Sequence, residues 1–256
     1  MESLMTNRGY DPIALAAATE KVAVDGTRRK YVQLGRPLRF YGGTTSATEV
    51  GCNLRCKFCF SDKPVWKPQK VGKFYTPQQV FDGLAKSARK HGHTIISASA
   101  SEGTIGREHL MELLDLVEES EFIYILETNG MILGNDPEYA QALSKYKRLH
   151  VRVSIKGDCP EQYNELTGAD PDSYEFPYKA LGYLIRAEVS CNACLMASFS
   201  DDRGIKRVKQ KLMGVHPGIL RSLEIEKITM FPKVVERLKN KGLKPINARY
   251  LGGRRN

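Results

Sequence analysis

The chain has 256 residues, enough for one large domain or a single α/β barrel whose core needs no disulfide staples. Hydrophobic residues make up 41% and charged residues 27%, with no biased tract, which excludes disordered, collagen-like and low-complexity classes. The net charge of +10, from 39 Lys and Arg against 29 Asp and Glu, favours an anionic partner such as nucleic acid, a nucleotide or an acidic protein surface, without selecting among them.

The N-terminus carries Glu2, Arg8 and Asp11 and lacks the apolar run of a signal peptide. No stretch reaches the roughly 18 apolar residues of a membrane helix. The expectation is a cytoplasmic protein without membrane contact, in which six cysteines serve as metal ligands, catalytic groups or core residues rather than disulfides. The basic runs Arg28-Arg29-Lys30, Lys145 to Arg148, Arg237 to Lys241 and Arg254-Arg255 read as solvated faces and termini.

Asp11 and Pro12 open a helix that runs to Val24. Residues 25–43 read as loop and edge strand, and Ser46 to Val50 as the first core strand. Helix is expected over 77–90, strand over 94–98, helix over 107–119 and strand over 122–126. A helix follows over 137–146 and a strand over 149–155. Two helices (160–166 and 177–187), a strand over 189–199, a helix over 206–213, a strand over 223–228 and a helix over 232–241 complete the chain. Six strands alternating with helices imply a parallel sheet with right-handed crossovers, too few to close an eight-stranded barrel. An open partial barrel or a doubly wound sheet remains, with its ligand site at the carboxyl ends of the strands.

The segment after the first core strand reads Gly51-Cys52-Asn53-Leu54-Arg55-Cys56-Lys57-Phe58-Cys59-Phe60. Its C-x3-C-x2-C spacing offers three thiolates for a cubane cluster whose fourth iron lacks a protein ligand, unlike a four-cysteine cluster. Such an iron can be met directly by a substrate or cofactor. A zinc site that borrows a fourth ligand from Cys159, Cys191 or Cys194 is the competing reading.

The segment resembles the signature of the radical S-adenosylmethionine (SAM) superfamily, and the resemblance extends over most of residues 44–230. It implies a partial (β/α)6 barrel with parallel strands, with residues 44–256 as the core domain and residues 1–43 packed on it as an N-terminal extension. It implies a 4Fe-4S cluster on Cys52, Cys56 and Cys59, with SAM chelating the open iron. Reductive cleavage would give a 5′-deoxyadenosyl radical that takes hydrogen from a substrate.

Further segments carry the likeness. Ser99-Ala100-Ser101-Glu102-Gly103-Thr104 stands where the family has Gly-Gly-Glu-Pro, keeping the acid and replacing both glycines and the proline. Glu102 is expected to accept the amino group of SAM, with Ser101 beside it. Glu127-Thr128-Asn129-Gly130 resembles the Thr-Asn-Gly segment of the glycyl-radical-activating and 7-carboxy-7-deazaguanine synthase branches. Strand alternation places Arg152, Ser154 and Lys156 on one face. The resemblance assigns Ser154 and Lys156 to SAM, leaves Arg152 either beside them or buried against an acid, and sets Phe58 near the adenine. Thr128 and Asn129 complete the expected SAM contacts.

Short length resembles the pyruvate formate-lyase-activating group, whose substrate is a glycine of a partner protein, while the charge also suits a tRNA or nucleotide. The N-terminal stretch is similar to that of uncharacterised archaeal members. A ferredoxin or flavodoxin would donate the electron. Cys159, Cys191 and Cys194 are either core residues or ligands of an auxiliary cluster, although a spacing of three puts Cys191 and Cys194 on opposite faces of a straight strand. Asp201-Asp202, Glu224 and Glu226 fall where substrate groups often sit. A non-catalytic zinc or iron-sulfur protein that binds nucleic acid is the alternative from another class.

Overall fold

Strand and helix alternate in the computed structural model, which describes residues 5–251; the Arg254-Arg255 run lies outside the described residues. Helix α1 (Pro12–Ala23) begins at Asp11, whose carboxylate accepts from the amides of Ile13 and Ala14 at 2.7 and 3.3 Å. Strand β1 (Arg28–Leu38) follows, then β2 (Thr44–Glu49) and the short β3 (Lys73–Tyr75). Helix α2 (Pro77–His91) opens with a capping box between Thr76 and Gln79 and closes at left-handed Gly92. Next come β4 (Ile95–Ser99), α3 (Arg107–Glu118), β5 (Ile123–Thr128), α4 (Met131–Asn135), α5 (Pro137–Ala142) and β6 (Leu149–Lys156). The remainder is α6 (Pro160–Thr167), α7 (Phe176–Arg186), β7 (Cys191–Met196), α8 (Asp202–Val215), β8 (Glu224–Glu226) and α9 (Pro232–Asn240).

The sheet order is β8-β7-β6-β5-β4-β2-β1. The six strands from β2 to β8 pair in parallel, and β1 joins the edge antiparallel to β2 and β3. This is the open partial barrel, not the doubly wound alternative. Alternation divides each strand between two surfaces. Ala47, Ile96, Ala98, Tyr124, Leu126, Val151, Val153, Ala193 and Leu195 join the apolar core under the helices. The opposite, concave surface carries Ser46, Ser99, Glu127, Arg152, Ser154, Lys156 and Cys194, several of them hydrogen-bonded to one another.

Three local expectations change. The edge strand expected within residues 25–43 is longer than its strand-like stretch, running eleven residues over Arg28–Leu38. The strand expected over 189–199 is shorter, because Asp201 caps α8 by accepting from the Gly204 amide at 2.7 Å. Asp201 is thereby a helix cap, not a substrate group. The third change concerns Arg29. It was read as part of a solvated run, but along β1 Arg28 is exposed while Arg29 is fully buried.

Beside Arg29, His109 of α3 is buried. The Thr27 carbonyl can only accept, so Nδ1 of His109 donates to it (2.7 Å) and Nε2 accepts from the Tyr31 hydroxyl (2.9 Å). Burial holds the imidazole pKa down, to about 4. A folded-state pKa below the unfolded value of about 6.5 gives stability that is full above that pH and is lost as pH falls toward 4. Urea unfolding of wild type and His109→Gln at about pH 7.5 and 4.5 is expected to show wild type losing about 2–3 kcal/mol more over the interval, and equal losses would contradict this. A second test addresses Gly51, which opens the cysteine loop at φ +98°, where an added Cβ would lie 2.8 Å from Thr19 Cγ2 and 3.0 Å from Ala23 Cβ on α1. Gly51→Ala is expected to cost about 2 kcal/mol in urea unfolding, and an unchanged midpoint would contradict that packing.

Candidate cluster and cofactor site

The cysteine loop is fixed from several sides before any ligand is considered. The Gly51 carbonyl accepts from the Glu102 amide at 3.0 Å, and the Lys57 amide donates to the Leu166 carbonyl at 2.9 Å. The Arg55 amide donates to the Tyr10 hydroxyl at 2.8 Å. Arg237, from a run read as solvated, donates to the Cys59 carbonyl at 2.6 Å while its guanidinium lies over the Trp66 ring. Phe58 is buried and packs on Phe199, ring centroids 5.6 Å apart.

Cys52, Cys56 and Cys59 are unbridged thiols. Burial pushes the Cys56 thiol up to about 12, opposed by the Lys156 ammonium, and it raises Cys52 and Cys59 as well. Neutral thiols are therefore favoured in the bare protein, and a bound cation would be needed to hold them as thiolates. Among the described residues, no three His, Cys, Asp or Glu side chains converge tightly enough to grip a single metal ion. A cubane meets each thiolate at its own iron, so its ligands stand further apart than those of one zinc ion. Asn53 supplies a second sign of fit. The Met131 amide donates to Asn129 Oδ1 (3.0 Å), which fixes that amide's orientation and sends Asn129 Nδ2 to Asn53 Oδ1 (2.7 Å). Asn53 Nδ2 is then left buried without a partner, next in sequence to Cys52. The donor set fits a three-cysteine cluster.

Glu102 is the most constrained acid in the molecule. It is 1% exposed, and Oε1 accepts from the Thr104 amide (3.2 Å), the Thr104 hydroxyl (2.6 Å) and the Thr128 hydroxyl (2.5 Å), while Oε2 accepts from the Asn129 amide (2.8 Å). Those four donors match the roughly four lone-pair sites of a carboxylate. The carboxylate thereby ties the loop after β4 to the loop after β5. Thr128 and Asn129 belong to the same tie. The Thr128 hydroxyl also accepts from the Gly130 amide (3.0 Å), and the Asn129 side chain serves Met131, Asn53 and, at 3.9 Å, Cys52 Sγ. Ser101 reaches Glu49 and Arg29 only at 3.4 and 3.5 Å. The carbonyls of Ala100 and Ser101 meet no donor among the loop and turn hydrogen bonds of the described residues. Ala100 keeps φ +75°, the left-handed region natural to the glycine it replaces.

Lys156 and Ser154 share the concave face, the ammonium hydrogen-bonded to the hydroxyl. Its charge acts on Cys56 and Cys59, and among the described residues no carboxylate pairs with it within 4.0 Å. Deeper in the barrel, Arg152 is 6% exposed and donates to Glu224 (2.8 and 2.9 Å), Glu226 (2.6 Å) and Cys194 Sγ (2.8 Å), with Glu127 at 4.0 Å. Of its two sequence readings, burial against an acid is the one observed. Burial raises the Glu127 carboxyl although Arg152 opposes it, whereas at Glu226 the guanidinium wins and the pKa falls.

The remaining cysteines have separate surroundings. Cys159 stands at the start of α6, Cys191 packs on the apolar core and Cys194 faces Arg152. Sequence reasoning missed Arg29, Glu49, Asn53 and Tyr10. For Arg29 a signal existed in strand periodicity, which sets it on the same face as Tyr31 two residues on.

A model of the radical SAM superfamily matches residues 48–209, well over half of the chain. Among solved structures, the chain is similar to Streptococcus suis SuiB bound to S-adenosylmethionine, at 15% identity and TM-score 0.51, covering 81% of this chain and 45% of that one. It is similar to anSMEcpe with bound AdoMet and a peptide, at 19% identity and TM-score 0.53, covering 76% and 58%. A spore photoproduct lyase variant matches at 16% identity and TM-score 0.53, covering 84% and 62%. At these identities the likeness is one of fold, and the chain spans about half the length of these structures. No curated protein sequence matches. Family membership implies a 4Fe-4S cluster and SAM as cofactors. From its cysteine loop, its partial barrel and the match over residues 48–209, the chain belongs to the radical SAM superfamily.

Proposed function

We propose that this protein cleaves SAM reductively on a cluster held by Cys52, Cys56 and Cys59 and uses the resulting radical to abstract hydrogen from a substrate in the barrel. The observation that carries the reading is that one loop presents three unbridged thiols, with the orphaned Asn53 amide next to Cys52 and the Lys156 ammonium acting on Cys56 and Cys59. When bound, the cluster and SAM supply a 5′-deoxyadenosyl radical.

The chain's own residues bind, orient and shield. Lys156, supported by Ser154, receives the carboxylate of SAM through a charge-assisted hydrogen bond. The carbonyls of Ala100 and Ser101 accept from its amino group, with the Ser101 hydroxyl beside them. Glu102, Thr128 and Asn129 hold the two flanking loops rather than the ligand. Phe58, packed on Phe199, closes the apolar side toward the adenine. The catalytic core begins at residue 44, and, of the described residues, 5–43 pack on it.

The substrate lies along the concave face, where Arg152, Glu127, Glu224 and Glu226 offer charged groups of both signs. A glycine of a partner protein and a nucleotide or tRNA are the two substrate classes considered, the second drawing on the net charge of +10. A ferredoxin or flavodoxin serves as reductant. Among the described residues no helix is long and apolar enough to cross a membrane.

The test is anaerobic reconstitution with iron and sulfide, reduction, incubation with SAM and assay of 5′-deoxyadenosine. Wild type is expected to release it, and the variant with Cys52, Cys56 and Cys59 all changed to Ala to hold no cluster and release none. One zinc and no iron per anaerobically isolated chain would overturn the proposal in favour of a metal-bearing binding protein.

A further inference from the structure

The loop between β4 and α3 departs from the family's Gly-Gly-Glu-Pro pattern. Ala100 and Ser101 stand in place of two glycines and Gly103 in place of a proline, so Ala100 is held at φ +75° and Gly103 adds backbone freedom. Besides the ties made by Glu102, the loop is held by the N-terminal strand.

Arg29 on β1 is 0% exposed. One guanidinium nitrogen donates to the carbonyl of Gly103 at 3.0 Å and to that of Ile105, and the other to the Glu102 carbonyl at 2.7 Å. Its charge is balanced by Glu49 at 3.4 Å, itself 2% exposed. Tyr31, two residues along β1, donates to His109 at 2.9 Å, and its hydroxyl oxygen stands 3.4 Å from Glu49 on the other side of the pair. Three successive bends of one loop are thus gripped by a single planar fork, a geometry that a lysine ammonium does not reproduce. The carbonyls of Ala100 and Ser101, just ahead of the gripped stretch, meet no donor among the loop and turn hydrogen bonds of the described residues.

We infer that Arg29 is a positioning residue for SAM: by clamping the carbonyls of Glu102, Gly103 and Ile105 it aims the Ala100 and Ser101 carbonyls at the cofactor's amino group, supplying the restraint that a proline at position 103 would give. This rests on the reading that SAM binds at this loop. Arg29 lies outside residues 48–209, so the clamp is supplied by a part of the chain that the family model does not span.

The test uses full-length protein reconstituted anaerobically, as wild type, Arg29→Lys, and the double variant Arg29→Met/Glu49→Gln. Arg29→Lys keeps the charge opposite Glu49, and the double variant removes both charges, so neither leaves a buried ion uncompensated. Iron and sulfide content reports the cluster, and titration of SAM against the EPR spectrum of the reduced cluster gives Kd. Hydrogen exchange across residues 100–106 reports the loop.

Both variants are expected to keep the full iron and sulfide content, exchange faster at 100–106 and bind SAM at least about tenfold more weakly, the scale of loss usual for partners that orient a ligand's contacts. Arg29→Lys with wild-type Kd, even at a lowered melting temperature, overturns the inference and leaves Arg29 a stabilising residue only. Loss of the cluster together with SAM binding in both variants also overturns it, because the defect would then be general. A wild type that holds its cluster yet takes up no SAM overturns the underlying site reading, and the role of Arg29 falls with it.

Discussion

A carboxylate removed from water must be surrounded by donors, and Glu102 imposes that demand at the centre of this protein. Its four hydrogen bonds come from Thr104, Thr128 and Asn129, and its own amide donates to Gly51. One side chain and one amide therefore join the ends of three neighbouring strands, β2, β4 and β5. The loops at the carboxyl end of a parallel sheet are not held by the sheet itself, so such a tie decides whether they form one site or three independent turns. The cysteine loop inherits its position from this junction, and Asn129 carries the connection on to Asn53 and Cys52.

A second constraint runs through the barrel interior. Most sheet surfaces buried between layers are apolar, but the concave face here carries Arg152 against Glu224, Glu226 and Glu127. Groups of this kind are costly to bury and are kept where they meet one another or a ligand. Arg152 satisfies itself on two glutamates, and these stay partly accessible at 40% and 38% side-chain exposure. The apolar helices cover the other face, so stability and chemistry occupy opposite sides of the same strands. That separation explains how a chain of ordinary composition carries so polar an interior without weakening its core.

The architecture was legible because it rests on local signals: strand and helix periodicity, the caps at Asp11 and Thr76, and a cysteine spacing that few structures use. Placement at the mouth was legible too, since parallel strands put their following loops at one end. Individual roles were less so. The ties that Glu102, Thr128 and Asn129 make between loops were not legible, because a polar residue in a loop looks the same whether it meets a cofactor or another loop. Arg29 was hidden in a run of charges, where only the strand's alternation separates the buried residue from its solvated neighbours. Its partner Glu49 lies across the β1–β2 pairing, whose register is interrupted by irregularities that sequence alone does not place. Asp201 looked chemical and is a helix cap, a reminder that Asp serves both purposes with the same carboxylate.

The central claim is that the cluster on Cys52, Cys56 and Cys59 presents an iron that SAM coordinates directly. Electron-nuclear double resonance on the reduced cluster, with SAM labelled by 15N in its amino group and 17O in its carboxylate, tests this without depending on turnover or on the identity of the substrate. The account predicts hyperfine coupling from both labels. A cluster whose spectrum shows neither coupling, or is unchanged by SAM, would contradict it.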